Sequence, residues 1–403
     1  MAGCCSLVAL ILVTAWRRPL SSNNGDDTPA AGVSVPFFAS LERMARLVDI
    51  TYCVGTTGVS PPFSCASRCK DFPSLDLVRT WNTGVLLSDS CGFIAVDHGS
   101  SSQHHQQQHT PPPSKPAIIV AFRGTYSITN TIIDLSTVPQ EYVPYPSPDD
   151  DNDDDTPTKK CANCTVHMGF LASWRSAREL VLPALKTARA KHPGYPVHLV
   201  GHSLGGAVAA LAALELRVSL GWRDVTVTTF GEPRIGNKHL ARYLNEAFDL
   251  LPTANNHTTP PNETLRYRRV THANDPVPLL PLSEWGFRAH AGEVYIGKAD
   301  LPPAPEDLRL CRGADDPECS GGPEADGWLG WVLGDLVRGE ETRKSVEVWT
   351  RQLGGFPARL KLWQLFFAHR DYFWRLGLCV PGGDPVDWGR EKYRVSWAGD
   401  DEL

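Results

Sequence analysis

The chain has 403 residues, 42% of them hydrophobic, which is enough to bury a large core. Its net charge of −6 is not gathered into a basic stripe, which argues against a nucleic-acid partner.

From Met1 to about Ser22 the chain carries an apolar core, Leu7 to Trp16, with Val13-Thr14-Ala15 as a cleavage-like tripeptide. Such a stretch is too short to span a bilayer comfortably and reads as a signal peptide over residues 1–22. It lacks a Lys or Arg ahead of the apolar core and has Arg17-Arg18 behind it, so an uncleaved anchor is the alternative. Residues 23–35 are small and polar, a linker. Phe38, Leu41, Met44 or Ala45, and Val48 then recur at helical spacing and predict an amphipathic helix from Phe37 to Tyr52.

Strand candidates follow at Ala117–Phe122, Val197–Val200, Val225–Phe230, Leu265–Thr271 and Glu293–Ile296, with Cys91 inside a further apolar, strand-like run. Helices are predicted over His167–Lys191, Gly206–Ser219 and Lys238–Ala247, and a late aromatic-rich segment, Trp328 to Trp374, also reads as helical. Strands alternating with helices imply an α/β class with a central, mostly parallel sheet flanked by helices. Two inserts interrupt no core element. One, Ser101–Ser114 within the loop near 99–116, is low in complexity, and its three histidines suit a solvated loop better than a metal site. The other, the acidic run Asp149–Asp155 within the loop near 147–160, repels itself and stays in solvent. Residues 36–395 therefore read as a single domain, followed by an acidic tail over 396–403.

Beyond Cys4 and Cys5 nine cysteines remain, and three close pairs (65/69, 161/164 and 311/319) suggest small disulfide loops in an oxidising compartment. Zinc is the rival reading for Cys161-x-x-Cys164, but no second pair stands at finger-like spacing. Nine is odd, and Cys91 is the thiol expected to be left over. Sequons at Asn163, Asn256 and Asn262 fit a glycoprotein.

Chemistry concentrates in Val197-His198-Leu199-Val200-Gly201-His202-Ser203-Leu204-Gly205-Gly206-Ala207. An apolar strand, a Gly-x-Ser-x-Gly turn and an Ala-rich helix follow without a gap, the context of a nucleophile elbow. A serine hydroxyl is a poor nucleophile until a base takes its proton, and that base needs an orienting carboxylate, in chain order Ser, Asp or Glu, His. Asp275 follows the strand ending Arg268-Arg269-Val270-Thr271 and is itself followed by Pro276, which stops the strand. Two histidines come later. His290 leads straight into a strand and suits a buried structural role, whereas His369 follows every strand, where a loop can return to the elbow. His202, His167 and His272 read as residues that pack in the interior or support the catalytic groups from behind. The oxyanion needs two preorganised donors. The Leu204 amide is one, and Thr125, just past the strand ending Ala121-Phe122, offers an amide and a hydroxyl as the other.

Several segments together resemble the fungal class 3 lipases, the group of the Rhizomucor and Thermomyces type enzymes. They are Phe122-Arg123-Gly124-Thr125, Val166-His167-x-Gly169-Phe170, the Gly201–Ala207 turn, Gly231-Glu232-Pro233-Arg234-Ile235-Gly236, Asn274-Asp275-Pro276-Val277-Pro278, and His369 with Tyr372-Phe373 and Gly377-Leu378-Cys379. The resemblance spans about residues 37 to 380 and implies an α/β-hydrolase fold with a short helical lid. It implies Ser203 as nucleophile, Asp275 and His369 as partners, and Thr125 with Leu204 as oxyanion hole. It also implies disulfides Cys53–Cys379, Cys65–Cys69 and Cys311–Cys319; Cys161–Cys164 lies outside that pattern and rests on spacing. The lid would be the segment from Tyr126 to Ile133, closed by Asp134, with Ile128, Ile132 and Ile133 on its apolar face.

The implied reaction is ester hydrolysis through an acyl-enzyme, foremost of triacylglycerol at a lipid–water interface, with no metal or organic cofactor. The protein would act as a monomer that touches a membrane peripherally through the lid. A feruloyl-type or general carboxylesterase is the alternative, and the isoleucines of the lid favour lipid. The destination is the secretory pathway, extracellular, with the ER lumen open because Asp400-Asp401-Glu402-Leu403 resembles a retrieval signal.

Overall fold

The computed structural model describes residues 32–84, 89–100, 114–125, 139–142, 161–251, 265–322 and 367–387, all in one unit that begins at Gly32. The first element, α1 (Val35–Thr51), starts two residues before the predicted helix. Ser34 caps it by accepting the amide of Phe37 at 3.3 Å, and Pro36 stands in its first turn, where a missing N–H costs nothing.

Among the described residues, eight strands form one sheet. They are β1 (Leu75–Asn82), β2 (Cys91–Asp97), β3 (Ala117–Phe122), β4 (Val197–His202), β5 (Val225–Phe230), β6 (Tyr267–His272), β7 (Glu293–Ile296) and β8 (Leu308–Leu310). They lie side by side in chain order. The run β3 to β7 is parallel, while β1, β2 and β8 add antiparallel edges. Strands β2 and β3 are buried along their whole length, as strands covered on both faces of the sheet must be.

The helices supply that cover. On one face α2 (Met168–Lys191) and α3 (Leu204–Leu214) pack with Trp174, Phe170, Leu199 and Val227. On the other, α1 brings Phe37, Phe38, Leu41 and Val48 against Val200, Phe230 and Val270. Alternate residues of one strand thus enter different cores: Leu199 faces α3, and Val200 faces α1. A later helix, α4 (Lys238–Phe248), is capped by Asn237, whose side chain accepts the amides of His239 and Leu240.

Two elements differ in detail from expectation. The helix expected over Gly206–Ser219 does run to Ser219, but it is α-helical only to Leu214, and Glu215–Ser219 widens into a π-helical turn. There Glu215 is buried and accepts the Trp174 indole N–H at 2.9 Å while pairing with Arg178 at 2.7 Å. Of the aromatic segment Trp328–Trp374 only the last residues are described, and from His369 onward they form turns closed by a bridge between Asp371 and Arg375. Arg370 explains this: its guanidinium bonds the Leu376 carbonyl and pairs with Asp384 at 2.9 Å, curling the chain around itself. The signal peptide, both inserts and the acidic tail lie outside the described residues.

Candidate active site

Ser203 occupies the single position between β4 and α3, with φ 57° and ψ −129°. A non-glycine residue at positive φ is strained by roughly 1–3 kcal/mol and persists only where its surroundings over-determine it. They do so here. The Ser203 amide donates to Phe230 O at 2.9 Å, and the Ser203 carbonyl accepts Gly206 N at 2.9 Å. Gly205 permits the tight exit, since a Cβ there would lie 2.5 Å from Phe122 O and 2.7 Å from Arg123 O. The adjacent Gly124-Thr125 turn lies against the elbow: a Cβ on Gly124 would stand 3.0 Å from the Cβ of Ser203. The Leu204 amide opens α3, where the first N–H groups have no intrahelical partner.

Asp275 lies three residues past the end of β6, in a turn that its own amide closes by donating to His272 O at 3.0 Å. Three groups converge on its two oxygens. Val277 N donates to Oδ1 at 2.9 Å, the Tyr372 hydroxyl donates to Oδ2, and His369 Nδ1 reaches both, at 2.9 and 2.8 Å. Burial pushes the Asp275 carboxyl up, but His369, the Tyr372 hydroxyl and the Val277 amide outweigh it and leave its pKa below the usual value. An ionised carboxylate accepts only, so His369 carries its proton on Nδ1 and presents the Nε2 lone pair to its other side. Ser203 Oγ and His369 Nε2 are both buried, and neither makes a hydrogen bond among the described residues. A hydroxyl on a strained elbow and an imidazole oriented by a carboxylate are the parts of an activated nucleophile.

The structure thus gathers Asp275 and His369, 94 residues apart, at the elbow of Ser203. The other histidines take separate places. His290 is buried, and its Nε2 lies 2.9 Å from Glu232, which also accepts from Thr229 and Tyr267, both at 2.7 Å. His167 stacks on Phe170, and the Nδ1 of His272 accepts the Asn274 amide. Sulfur bonds join Cys53–Cys379, Cys65–Cys69, Cys161–Cys164 and Cys311–Cys319, and among the described residues Cys91 is unpaired and buried. The lid segment, with Tyr126, Ile128, Ile132, Ile133 and Asp134, lies outside the described residues. A cleft of about 350 Å³ between Lys238, Trp285 and Arg288 contains none of Ser203, Asp275 and His369.

Two contributors escaped the sequence reading. Tyr372 was legible only as part of a family motif, since nothing in its spacing from His369 indicates a bond to Asp275. Gly231 closes on the same group: a Cβ there would meet His369 Cε1 at 2.6 Å and Asp275 Oδ2 at 2.9 Å. Its φ of +60° marks a constrained turn that no local pattern announces.

A covered, mostly parallel sheet with a serine at the strand-to-helix turn defines an α/β-hydrolase. The profile "Lipase (class 3)" matches residues 119–285. The chain is 55% identical to the secreted mono- and diacylglycerol lipase 2 of Gibberella zeae, over 98% of this chain and 97% of that one. It is 56% identical to lipase A of Sodiomyces alcalophilus, over 96% of this chain and 94% of the relative. Among solved structures it resembles the Lip2 lipase of Yarrowia lipolytica, with a TM-score of 0.63 and 25% identity over 87% of this chain and 98% of that one. The chain belongs to the class 3 lipases, and its reaction is the hydrolysis of lipid esters.

Proposed function

We propose that this lipase works through Ser203, His369 and Asp275 and is exported to act on acylglycerols at a lipid surface. His369 Nε2 takes the Ser203 proton as Oγ attacks the ester carbonyl, and the imidazolium so formed is stabilised by Asp275. The Leu204 amide and Thr125 receive the oxyanion. The proton then passes to the leaving alcohol, and His369 activates water to release the fatty acid. The observation that carries this reading is the His369–Asp275 pair, fully buried and bonded through Nδ1, beside a serine held at positive φ.

Ser203 is 1% exposed, so an ester needs the site to open, and the isoleucine-bearing segment 126–134 is our choice of lid. The relative from Gibberella zeae is named for mono- and diacylglycerol, which makes partial glycerides the substrates to test first beside triacylglycerol. That relative is also named as secreted, which with the apolar N-terminus supports export. The Asp275–His369 chemistry belongs to one domain over 36–395, glycosylated at its sequons and monomeric, touching lipid through the lid.

The test compares wild type with Ser203→Ala on mono-, di- and trioleoylglycerol, above and below the solubility limit. The expected result is activity that rises at the emulsion and falls at least about 10³-fold in the variant. Full activity in Ser203→Ala would overturn the triad, and hydrolysis confined to soluble aromatic esters would overturn the lipid assignment.

A further inference from the structure

His202, the residue before the nucleophile, has a ring that Ser203 does not need for the turn and that the reaction does not consume. It is fully buried, and both of its nitrogens are committed. Nε2 lies 2.8 Å from the backbone carbonyl of His369, and Nδ1 lies 2.6 Å from the Tyr52 hydroxyl. A carbonyl only accepts, so Nε2 carries the hydrogen. A neutral imidazole has one N–H, so Nδ1 accepts from Tyr52 O–H, and the tautomer is fixed. The ring also stacks on the His369 ring, with centroids 4.7 Å apart and planes 28° apart.

Tyr52 closes the C-terminus of α1, next to Cys53 and its bond to Cys379. Its hydroxyl stands where three segments meet, since a Cβ on Gly124 would come within 2.6 Å of that oxygen, 2.9 Å of His202 O and 3.0 Å of Ser203 Cβ. One hydrogen-bonded line therefore runs from α1 through the elbow strand to the backbone of His369. Asp275 and Tyr372 hold the ring of His369; nothing in that pair holds its main chain.

We propose that His202 and Tyr52 are positioning residues, which fix the main chain of His369 so that Nε2 meets Ser203. This rests on the Ser203–His369–Asp275 reading above. The arrangement also keeps a neutral ring against His369 while His369 becomes a cation. Burial, with His369 beside it, pushes the His202 pKa down to about 3, and Arg370 opposes a second positive charge there, while Asp275 acts the other way. Among the described residues, the rings of Tyr52 and Tyr372 also face it.

The experiment measures kcat and KM for a soluble short-chain p-nitrophenyl ester from pH 5 to 9, below its solubility limit so that no interface contributes. Rates are normalised to serine titrated to completion with a phosphonate, which removes any difference in folded fraction. The variants are Tyr52→Phe, His202→Leu and His202→Gln, with Ser203→Ala, normalised to folded protein concentration, as reference. Misplacement of a reacting group by about 1 Å costs on the order of 100-fold. His202→Leu is therefore expected to lose about 30- to 100-fold in kcat with KM within about twofold, and Tyr52→Phe about 5- to 10-fold. His202→Gln, whose amide N–H reaches toward the same carbonyl, should recover kcat to within about fivefold of wild type. The wild-type acid limb should report one proton, because His202 does not titrate in that range. Should His202→Leu fail to fold, Tyr52→Phe and His202→Gln decide the matter. A kcat per titrated serine within twofold of wild type in Tyr52→Phe and His202→Leu would overturn the proposal, as would a His202→Gln loss equal to that of His202→Leu. An active Ser203→Ala would instead overturn the triad on which it rests.

Discussion

His198 and His202 lie on the same face of β4, the face covered by α1, and the fold keeps both imidazoles neutral. Burial lowers the His198 pKa from 6.5 to about 4, helped by Arg268 and Arg43 and opposed by Asp97. Burial and His369 lower that of His202 from 6.5 to about 3. A group whose folded pKa lies below its unfolded one binds more protons when unfolded, so stability is full above 6.5 and is lost as pH falls below it. At pH 5 each ring is 1.5 pH units below the unfolded value of 6.5, a loss of about 2 kcal/mol apiece and about 4 kcal/mol together. His272, also lowered by burial, adds to the same slope. The lowered carboxyls of Asp275 and Glu232 act with the same sign but nearer their ordinary values of 3.8 and 4.5, so the window from pH 7 to 5 belongs to histidine. A domain is held by only about 5–15 kcal/mol, so the loss is large. Urea unfolding followed by tryptophan fluorescence at pH 7, 6 and 5 measures it, with His198→Gln expected to recover about 2 kcal/mol of the difference. Unfolding free energy that is flat from pH 7 to 5, or a slope unchanged in His198→Gln, would refute the reasoning.

Three further outcomes follow from other parts of the structure. Gly231→Ala adds a Cβ 2.6 Å from His369 Cε1 at a φ of +60°, so kcat on a soluble ester should fall about 100-fold, with stability lowered by only about 1–2 kcal/mol. Calorimetry and kinetics on the same sample check both. Glu232→Ala strips a buried carboxylate from His290, Thr229 and Tyr267, and a loss of about 3–5 kcal/mol is expected in urea unfolding. Cys53→Ser with Cys379→Ser opens a link between residues 326 positions apart, expected to cost about 2–4 kcal/mol and to lower thermal stability to the same degree as reduction of that bond in wild type.

The elbow was legible because it is local. Apolar residues 197–200, the glycines at 201 and 205 and the small residues after them dictate strand, turn and helix within one short stretch, and with them the place and conformation of Ser203. The same holds for the parallel strands, whose apolar runs end in turn residues, and for Asp275, placed by the strand before it and the proline after it. The helix does continue past Leu214, but its widening to π-helix is not legible in the sequence, because it accompanies the claim of Trp174 and Arg178, from another helix, on the Glu215 carboxylate. The remaining contacts arise from the packing of segments distant in sequence. Tyr52, Tyr372, Gly231 and the carbonyl of His369 come together from segments far apart, and what joins them is the order of strands in the sheet and the return of the chain across its end. Burial completes the chemistry there: away from water, the His202 ring stays neutral, and the hydrogen-bond partners of Asp275 outweigh desolvation to keep its carboxyl charged.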